Sequence, residues 1–403
     1  MLAPLALLLL LAVPADPAAS ASAVRALEAG DDSEHEFTPL TRGDAARALK
    51  VLVARRTARV RPTREGEVKG QQIKLGDLEM PFASKVFGEK PATGRSLFLS
   101  MHGGGGAPAR VNDQQYENQK GLYKPEEGVY LAPRAPTNTW DLWHQGHVDA
   151  FFERLIDDMA LFEGVDRDRV YLMGYSAGGD GVYQVAPRMA DRFAAASMMA
   201  GHPNEASPLG LRDLPFAIHV GANDSAYNRN AIGREWGEKL DALRKGDPAG
   251  YEHLVEIHPG RGHWMNREDA SALPWMARFR RDPAPKKVVW HQDDVTRDRF
   301  YWLAVAPGRA KAGSTVIASV EGQEVRIEKA EGIAGRAEGV PSLIIWLDDR
   351  LLDLDRPVKV THAGKTLAEA VLPRTINGLR ESLEGPGDPG LAFPAAVGVT
   401  IGQ

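Results

Sequence analysis

One stretch constrains the fold of this chain more than any other. It runs from Val170 to Gly179 with the sequence V-Y-L-M-G-Y-S-A-G-G. The apolar run at its start has the character of a short buried strand, and Ser176 then stands in a G-x-S-x-G turn. Such a turn joins a strand to a helix sharply and lifts the serine hydroxyl out of the sheet edge. The flanking glycines are expected because side chains there would crowd the corner. The dipole of the following helix favours negative charge at the serine.

Taken alone the motif is weak, because the chain has 41 glycines and a glycine-rich loop around an unreactive serine is the competing interpretation. The surroundings favour the strand-to-helix turn. Strand-like apolar runs alternate with segments of helical periodicity, which predicts an α/β class with βαβ units and a mostly parallel sheet flanked by helices. The expected strands are two within 71–88, then 96–101, 128–133, 170–173, 194–200, 215–220 and 253–258, and a helix is expected over 149–162.

The pattern changes after the proline-rich segment 282–285. One helix is expected near 376–383, and the remainder reads as short strands separated by turns, typical of a β-rich, sandwich-like domain. The expected strands are 288–290, 300–305, 315–320, 324–328, 343–347, 358–361, 367–372 and 395–401. For a chain of 403 residues, two domains with appendages are natural. We divide it into a leader (1–23), a helical lead-in (24–66), an α/β domain (67–282) and a β-rich accessory domain (286–403).

The leader is nearly all apolar at its start, and Leu7–Leu11 is unbroken leucine. This run is too short to span a bilayer as a helix. Small residues follow it, which is typical of a secretory signal peptide cut after about Ala21 or Ala23. The first basic residue is Arg25, so no positive charge precedes the apolar run, and a misplaced start or an N-terminal tail is the alternative. We expect a secreted or periplasmic protein without a stable membrane span after cleavage.

The composition limits which ligands and partners this chain is expected to bind. The formal net charge is −5, and no basic run is interleaved with aromatic residues, so we expect no nucleic-acid partner. The chain has no cysteine, which excludes disulfides and thiolate metal sites, and export without disulfides is compatible with a bacterial periplasm or exterior. His144 and His147 lie close in sequence without accompanying acidic or cysteine ligands. We therefore expect no metal and no cofactor.

A serine hydroxyl needs a base to remove its proton, an acid to orient that base and donors for the oxyanion. In folds with this turn, the chain order is serine, acid, histidine. Asp224 is the candidate acid because it follows the strand 215–220 directly, although a turn aspartate that caps a helix is the competing interpretation. Asp213 precedes that strand, and Asp180 follows the serine too closely.

The candidate base is His263, which stands in the glycine loop G-R-G-H-W after the strand 253–258. Glycines there let the imidazole reach over the sheet edge. His258 is the main rival because it is closer to the strand. His144 and His147 precede the serine, which is the wrong order.

The oxyanion needs two backbone N–H donors. One is expected from Ala177, directly after the serine, and the other from the glycine loop that follows an early strand. Gly104 is our choice for the second donor, with Gly103 close behind, and His102 is expected to hold the loop by hydrogen bonds. A phosphate-binding loop would need G-x-x-x-x-G-K-[ST], and the lysine and hydroxyl residue are absent.

Several ring side chains fall near the expected site and are candidates for contact with substrate. Aromatic rings there would stack on a sugar or a phenolic acyl group, whereas a packed aromatic cluster is the alternative for the tryptophans before the serine. The candidates are Tyr175, Trp140, Trp143, His202 and Trp264.

These motifs resemble the α/β-hydrolase superfamily, specifically the secreted esterase branch with polyhydroxybutyrate depolymerase-like and feruloyl or acetylxylan esterase-like proteins. The resemblance covers roughly 71–281 and rests on His102–Gly105, Gly174–Gly178, Gly221–Asp224 and Gly262–Trp264. It implies an eight-stranded, mostly parallel sheet and acyl transfer through a seryl ester. Depolymerase-like relatives often carry a cysteine where this chain has Gly104, so the resemblance does not imply a polymeric substrate.

The favoured interpretation is an exported serine hydrolase that cleaves small-molecule or polymeric carboxylic esters through Ser176, His263 and Asp224. Two alternatives stay open. A serine peptidase of the prolyl-oligopeptidase type shares this core, and a non-catalytic surface-binding or carbohydrate-binding protein would use the β-rich domain.

Overall fold

A computed structural model of the chain describes residues 15–31, 33–333 and 341–401. Most of the predicted leader, residues 1–14, lies outside the described residues. The chain divides into two compact units. Of the described residues, those up to Arg59, Ala284–Val288 and those from Arg297 onward form one unit, and Val60–Pro283 with Val289–Thr296 form the other. The N-terminal helical segment is therefore grouped with the C-terminal strands, which the linear order of the chain does not reveal.

Two helices come first, α1 (Pro17–Ala29) and α2 (Arg42–Gly70). The Asp16 side chain caps α1 by accepting the N–H groups of Ala18 and Ala19. Gly30 ends it with φ 94°, a left-handed conformation that glycine adopts without strain. No helix within the described ranges is long and apolar enough to cross a membrane.

The α/β unit is built on one eight-stranded sheet. Its strands are β1 (Gln72–Leu75), β2 (Leu78–Phe87), β3 (Arg95–Met101), β4 (Gly128–Pro133), β5 (Val165–Tyr175), β6 (Ala195–Met199), β7 (Phe216–Gly221) and β8 (His253–His258). They lie in the order β1-β2-β4-β3-β5-β6-β7-β8. β2 pairs antiparallel with β1 and β4, and each neighbouring pair from β4 to β8 is parallel. The predicted α/β class and mostly parallel sheet are confirmed.

Helices connect these strands. They are α3 (Ala109–Gln119), α4 (His147–Phe162), α5 (Ala177–Arg188), α6 (Arg229–Gly246) and α7 (Ala272–Met276). The central strands β4, β6 and β7 are buried along their whole length, as expected for parallel strands covered on both faces. Parallel strands all end at one edge, so the loops after β3, β5, β7 and β8 meet there.

One strand is longer than the sequence indicated. The apolar run predicted a strand over 170–173, whereas β5 spans Val165–Tyr175. The residues near its start, Asp166–Arg169, are charged and only partly buried. Hydrophobic patterning therefore misses the start of a strand when that part of the strand is charged and partly exposed to solvent.

The β-rich unit, extended by the remainder of β9 (Lys287–His291), contains two further sheets. Its elements are β9 (Lys287–His291), β10 (Arg299–Phe300), β11 (Leu303–Ala304), β12 (Thr315–Glu321), β13 (Glu324–Glu331), β14 (Ser342–Leu347), β15 (Val358–His362), β16 (Lys365–Ala370), α8 (Ile376–Glu384) and β17 (Ala395–Thr400). One sheet has the order β10-β11-β14-β17, and the other has the order β16-β15-β13-β12-β9. The predicted β-rich character is confirmed.

One prediction in this unit is wrong. The run 300–305 was expected as a single strand, but β10 and β11 pair antiparallel with each other. Tyr301 between them has φ 54°, which reverses the chain direction. An apolar run alone does not show such a reversal, because every residue in it except the turn remains compatible with a strand.

The same unit has an apolar cluster built by α1, α2 and α8. Its members are fully or nearly buried and come from both ends of the chain: Ala23, Val24, Leu27, Leu40, Ala45, Ala48, Leu52, Ile376, Leu379, Leu383 and Ala392. Burying one valine or leucine side chain contributes about 1.5–3 kcal/mol, so the face of α1 is a substantial part of this core.

Candidate active site

The serine turn has the backbone expected of a strained corner. Ser176 lies between the end of β5 and the start of α5 with φ 58° and ψ −121°. A non-glycine residue in such a region costs about 1–3 kcal/mol, and the surrounding structure must hold it there. The Ser176 N–H donates to the Met199 carbonyl at 2.9 Å, which ties the corner to β6.

Both flanking glycines are required for space. A Cβ on Gly174 would lie 2.2 Å from the carbonyl oxygen of Gly178. A Cβ on Gly178 would lie 2.2 Å from the carbonyl oxygen of Met101, on β3. The helix therefore approaches the sheet more closely than any side chain permits, and this brings the N-terminus of α5 under the serine.

Three side chains form a continuous chain of hydrogen bonds at the carboxyl edge of the sheet. His263 Nε2 lies 2.9 Å from Ser176 Oγ, and His263 Nδ1 lies 2.8 Å from Asp224 Oδ2. An ionised carboxylate only accepts, so Nδ1–H donates to Asp224. The lone pair on Nε2 then faces the serine hydroxyl, as a base requires. The three predicted residues come together although 87 positions separate Ser176 from His263.

Asp224 is held by the turn after β7. Its N–H donates to the Gly221 carbonyl at 3.0 Å, and its own carbonyl accepts the Asn230 N–H at 3.0 Å. The carboxylate is buried, and its second oxygen lies 3.9 Å from the Arg229 guanidinium. The His263 imidazole, by contrast, is 44% exposed. The candidate acid is thus enclosed, while the imidazole of the candidate base is partly exposed.

Tyr175 positions the loop that carries His263. Its hydroxyl donates to the His263 carbonyl at 2.6 Å and accepts the Met265 N–H at 3.1 Å. Burial raises the pKa of this hydroxyl, which keeps it protonated and able to donate. The sequence placed Tyr175 among substrate contacts, but the buried ring instead supports the His263 loop.

His258, the other candidate for the base, has a different hydrogen-bond partner. His258 directs Nε2 towards His219 Nδ1 at 3.2 Å. Its main-chain carbonyl accepts the N–H groups of Ala222 and Arg261, at 2.9 and 3.3 Å. His258 thus lies beneath the two loops that carry Asp224 and His263.

The glycine loop after β3 packs directly on the serine. A Cβ on Gly103 would lie 3.1 Å from the Ser176 Cβ. The Gly105 N–H already donates to Asn112 Oδ1 at 2.8 Å. This leaves the N–H groups of Gly103 and Gly104 as candidate oxyanion donors on this loop, beside that of Ala177 at the start of α5.

His102 orients the peptide that precedes Gly104. The Ala135 N–H donates to His102 Nε2 at 3.1 Å, so the ring proton sits on Nδ1 and donates to the Gly103 carbonyl at 2.6 Å. Burial lowers the pKa of His102 to about 4, so the ring is neutral. In a trans peptide the C=O and N–H groups point in opposite directions. The Gly104 N–H therefore points away from the His102 ring.

Asn112 anchors this loop, and sequence reasoning missed it. The side chain is fully buried on α3. Besides accepting from Gly105, it donates through Nδ2 to the Ala107 carbonyl at 3.2 Å and to Asn138 Oδ1 at 3.0 Å. An asparagine in a polar helix gives no signal in the sequence, since only the burial of its face distinguishes it.

If the glycine loop supplies a donor to an oxyanion at Ser176, we expect Asn112→Ala to lower kcat by about 10²-fold while KM changes little. Loss of a direct oxyanion donor typically costs about 10²–10³ in rate, and the substitution removes the anchor of the loop that carries the candidate donors. Interactions made only in the transition state affect kcat rather than KM. Steady-state kinetics would measure both constants, with Asn118→Ala, an exposed asparagine on the same helix, as the matched control. An unchanged kcat in a folded Asn112→Ala protein would contradict this role.

Two of the predicted aromatic contacts lie at the rim of the site. Trp140 is 64% exposed and packs against Gly105 and Gly106 of the glycine loop. Trp264 is 50% exposed and lies against Tyr175 with ring centroids 5.7 Å apart. These exposed rings are available to a ligand.

The other two predicted substrate contacts, Trp143 and His202, have their rings engaged within the protein. Trp143 is fully buried, and its indole N–H donates to the His102 carbonyl at 2.9 Å. It therefore supports the glycine loop and offers no face to a substrate. The His202 ring is engaged by its own loop, since Nδ1 accepts the Asn204 N–H at 2.9 Å. Tyr227, which the sequence did not single out, follows Asp224 and is 77% exposed.

No protein-family model matches the chain. The bifunctional acetylxylan esterase/xylanase XynS20E from Neocallimastix patriciarum is 33% identical over 141 residues, which cover 34% of this chain and 20% of that protein. The chain thus spans about a fifth of the length of this curated relative.

Among solved structures, the chain is similar to a feruloyl esterase module from Clostridium thermocellum complexed with sinapinate, at 15% identity over 52% of this chain and 86% of that chain, with a TM-score of 0.35. It is also similar to the poly(3-hydroxybutyrate) depolymerase LpqC from Bordetella parapertussis, at 19% identity over 50% and 82%, with a TM-score of 0.35. Because both TM-scores are low, the fold assignment rests on the strand order and the serine corner. These two features are those of the α/β-hydrolase fold, and the chain is similar in sequence to XynS20E over 141 residues.

Proposed function

We propose that this chain is a serine hydrolase that cleaves carboxylic esters. The observation that carries the proposal is the chain of hydrogen bonds from Asp224 through His263 to Ser176, at 2.8 and 2.9 Å. It lies where a strained serine corner, a helix N-terminus and a glycine loop converge. The similarity to a bifunctional acetylxylan esterase/xylanase supports an ester as the bond that is cleaved.

The proposed reaction proceeds in two steps. His263 Nε2 takes the hydroxyl proton as Ser176 Oγ attacks the ester carbonyl carbon, and Asp224 stabilises the resulting imidazolium. The N–H groups of Ala177 and Gly104, with Gly103 as the second candidate, bind the tetrahedral oxyanion. Collapse transfers the proton from His263 to the leaving alcohol oxygen and leaves a seryl ester. His263 then takes a proton from water as the water oxygen attacks the acyl carbon. The bond from that carbon to Ser176 Oγ breaks, the acid leaves, and the imidazolium returns the proton to Ser176 Oγ.

The rim favours substrates with a flat face. Three large aromatic side chains at the rim are at least half exposed: Trp140, Trp264 and Tyr227. Each lies next to a residue or loop of the proposed active site. Aromatic rings bind aryl groups and sugars through stacking. We therefore propose that at least one side of the ester carries such a group, on a small molecule or a polymer.

The test is a panel of p-nitrophenyl esters of graded acyl length beside peptide p-nitroanilides, with labelling by a serine-reactive fluorophosphonate. We expect hydrolysis of short esters and labelling, with no amide cleavage. Amide cleavage without ester hydrolysis would favour the peptidase alternative. Inactivity on both panels without labelling would favour the non-catalytic binding alternative.

We further propose that the protein is exported and is cut directly before Asp16. Cleavage after Ala21 or Ala23, as the sequence indicated, would fall inside α1. It would remove the Asp16 cap, worth about 1 kcal/mol. It would also remove buried Ser20, whose hydroxyl donates to Asp44 at 2.6 Å and accepts the Thr41 N–H at 2.9 Å.

N-terminal sequencing of protein recovered from the periplasm or medium would test this. We expect a mature N-terminus at Asp16, because cleavage after Ala15 leaves α1 whole and places a small residue before the cut. A mature protein that begins at Ser22 or Val24 would contradict the proposed position, and an intact Met1 would contradict export.

A further inference from the structure

A second group of polar side chains lies on one face of β7 and β8, beneath the catalytic loops. His219 on β7 is aligned with Glu256 on β8. His258 follows two residues after Glu256 and so points to the same face of the sheet. The proposed ester hydrolysis uses none of these three side chains.

Their spacing matches a metal site. His219 Nδ1 lies 3.2 Å from His258 Nε2 and 3.5 Å from Glu256 Oε2, and one ligand atom from each residue falls within 4.8 Å of the others. Zinc bonds of about 2.0–2.1 Å in tetrahedral geometry place ligand atoms roughly 3.4 Å apart. The side chains need little movement to share one ion.

Burial and neighbours also suit such a site. His219 is fully buried and His258 nearly so, whereas the Glu256 side chain is 39% exposed and leaves one side open to solvent. Ser271 Oγ donates to Glu256 Oε2 at 3.1 Å, and Glu268 Oε2 lies 3.6 Å from His258 Nδ1. Carboxylates behind a ligating histidine orient its ring.

We propose that His219, Glu256 and His258 bind one divalent zinc ion, with water as a fourth ligand. Two imidazoles and one carboxylate are a donor set that zinc accepts. In the alternative interpretation no metal is bound, and His219 and His258 hydrogen-bond only to each other. The His258 carbonyl accepts from Ala222 and Arg261, so a metal here stabilises the base of both catalytic loops and has a structural role.

The experiment uses the full chain, free of affinity tag and stripped with a chelator. Zinc chloride is titrated by calorimetry, bound metal is measured after dialysis, and the melting temperature is recorded with and without zinc. We expect one zinc per chain and a higher melting temperature with zinc. Glu256→Gln, at a partly exposed position, and His258→Gln should each weaken binding at least about tenfold.

Two control variants locate the ion. His253→Gln changes a histidine on the same strand that pairs with Asp241 at 3.2 Å, and it should bind zinc as the parent does. His263→Ala should also retain zinc. The absence of a bound equivalent, or binding that survives in Glu256→Gln and His258→Gln, would overturn the proposal. Because the readouts are metal content and melting temperature, they are independent of ester hydrolysis.

Discussion

Replacing Ser176 with alanine is expected to lower ester turnover by at least about 10⁴-fold while the fold stays intact. The change removes Ser176 Oγ, which is the nucleophile in the proposed mechanism. His263 and Asp224 then have no hydroxyl group to activate. In the serine protease subtilisin, loss of the nucleophile costs about as much as loss of the whole triad, about 10⁶ in kcat. Alanine keeps the positive φ of this corner at a cost similar to that of serine.

The measurement is kcat/KM on a short p-nitrophenyl ester, together with the melting temperature and the far-UV circular dichroism spectrum. Ser84→Ala is the matched control, since Ser84 is an exposed serine on β2 of the same sheet. It should retain parental activity. A folded Ser176→Ala protein with near-parental turnover would refute the assignment of the nucleophile.

Asp224→Asn is expected to lower kcat by about 10⁴-fold. The substitution keeps the size of the side chain but can present an N–H group to His263 Nδ1, now 2.8 Å from the carboxylate. The imidazole proton then moves to Nε2, and the nitrogen that faces Ser176 becomes a donor instead of a base. The imidazolium also loses its stabilising carboxylate. Fluorophosphonate labelling should slow in parallel, because it depends on the same proton transfer.

The matched control is Asp241→Asn, an exposed aspartate on α6, which should leave both rates unchanged. Crystallographic or spectroscopic evidence that the variant remains folded completes the test, since Asp224 is buried next to Arg229. Retention of more than about a tenth of parental kcat would assign the orienting role to another group.

The fold and the proposed catalytic residues were largely accessible from the sequence, because both leave local signals. A strand that is buried on both faces reads as an apolar run, and a strained corner demands small residues at given offsets from Ser176. Since parallel strands end at one edge, residues that follow successive strands meet there. Asp224 and His263 could be inferred in that way without knowledge of any contact.

Other features depend on contacts between distant segments, and no local pattern reports them. Asn112 is distinguished from other helical asparagines only by its burial under the glycine loop, and Trp143 differs from Trp140 only by its fully buried ring. His219 and Glu256 become neighbours through the register of β7 with β8.

The sequence by itself determined the α/β class, the chain order of the proposed triad and the serine corner, since each follows from backbone geometry and hydrophobic periodicity over a few residues. Only the tertiary structure decided which polar side chains are enclosed and what they contact, such as the hydrogen bond of Tyr175 to the His263 loop. The physical reason is that burial and hydrogen bonding are properties of packed surfaces, and the register and order of the strands decide which surfaces meet.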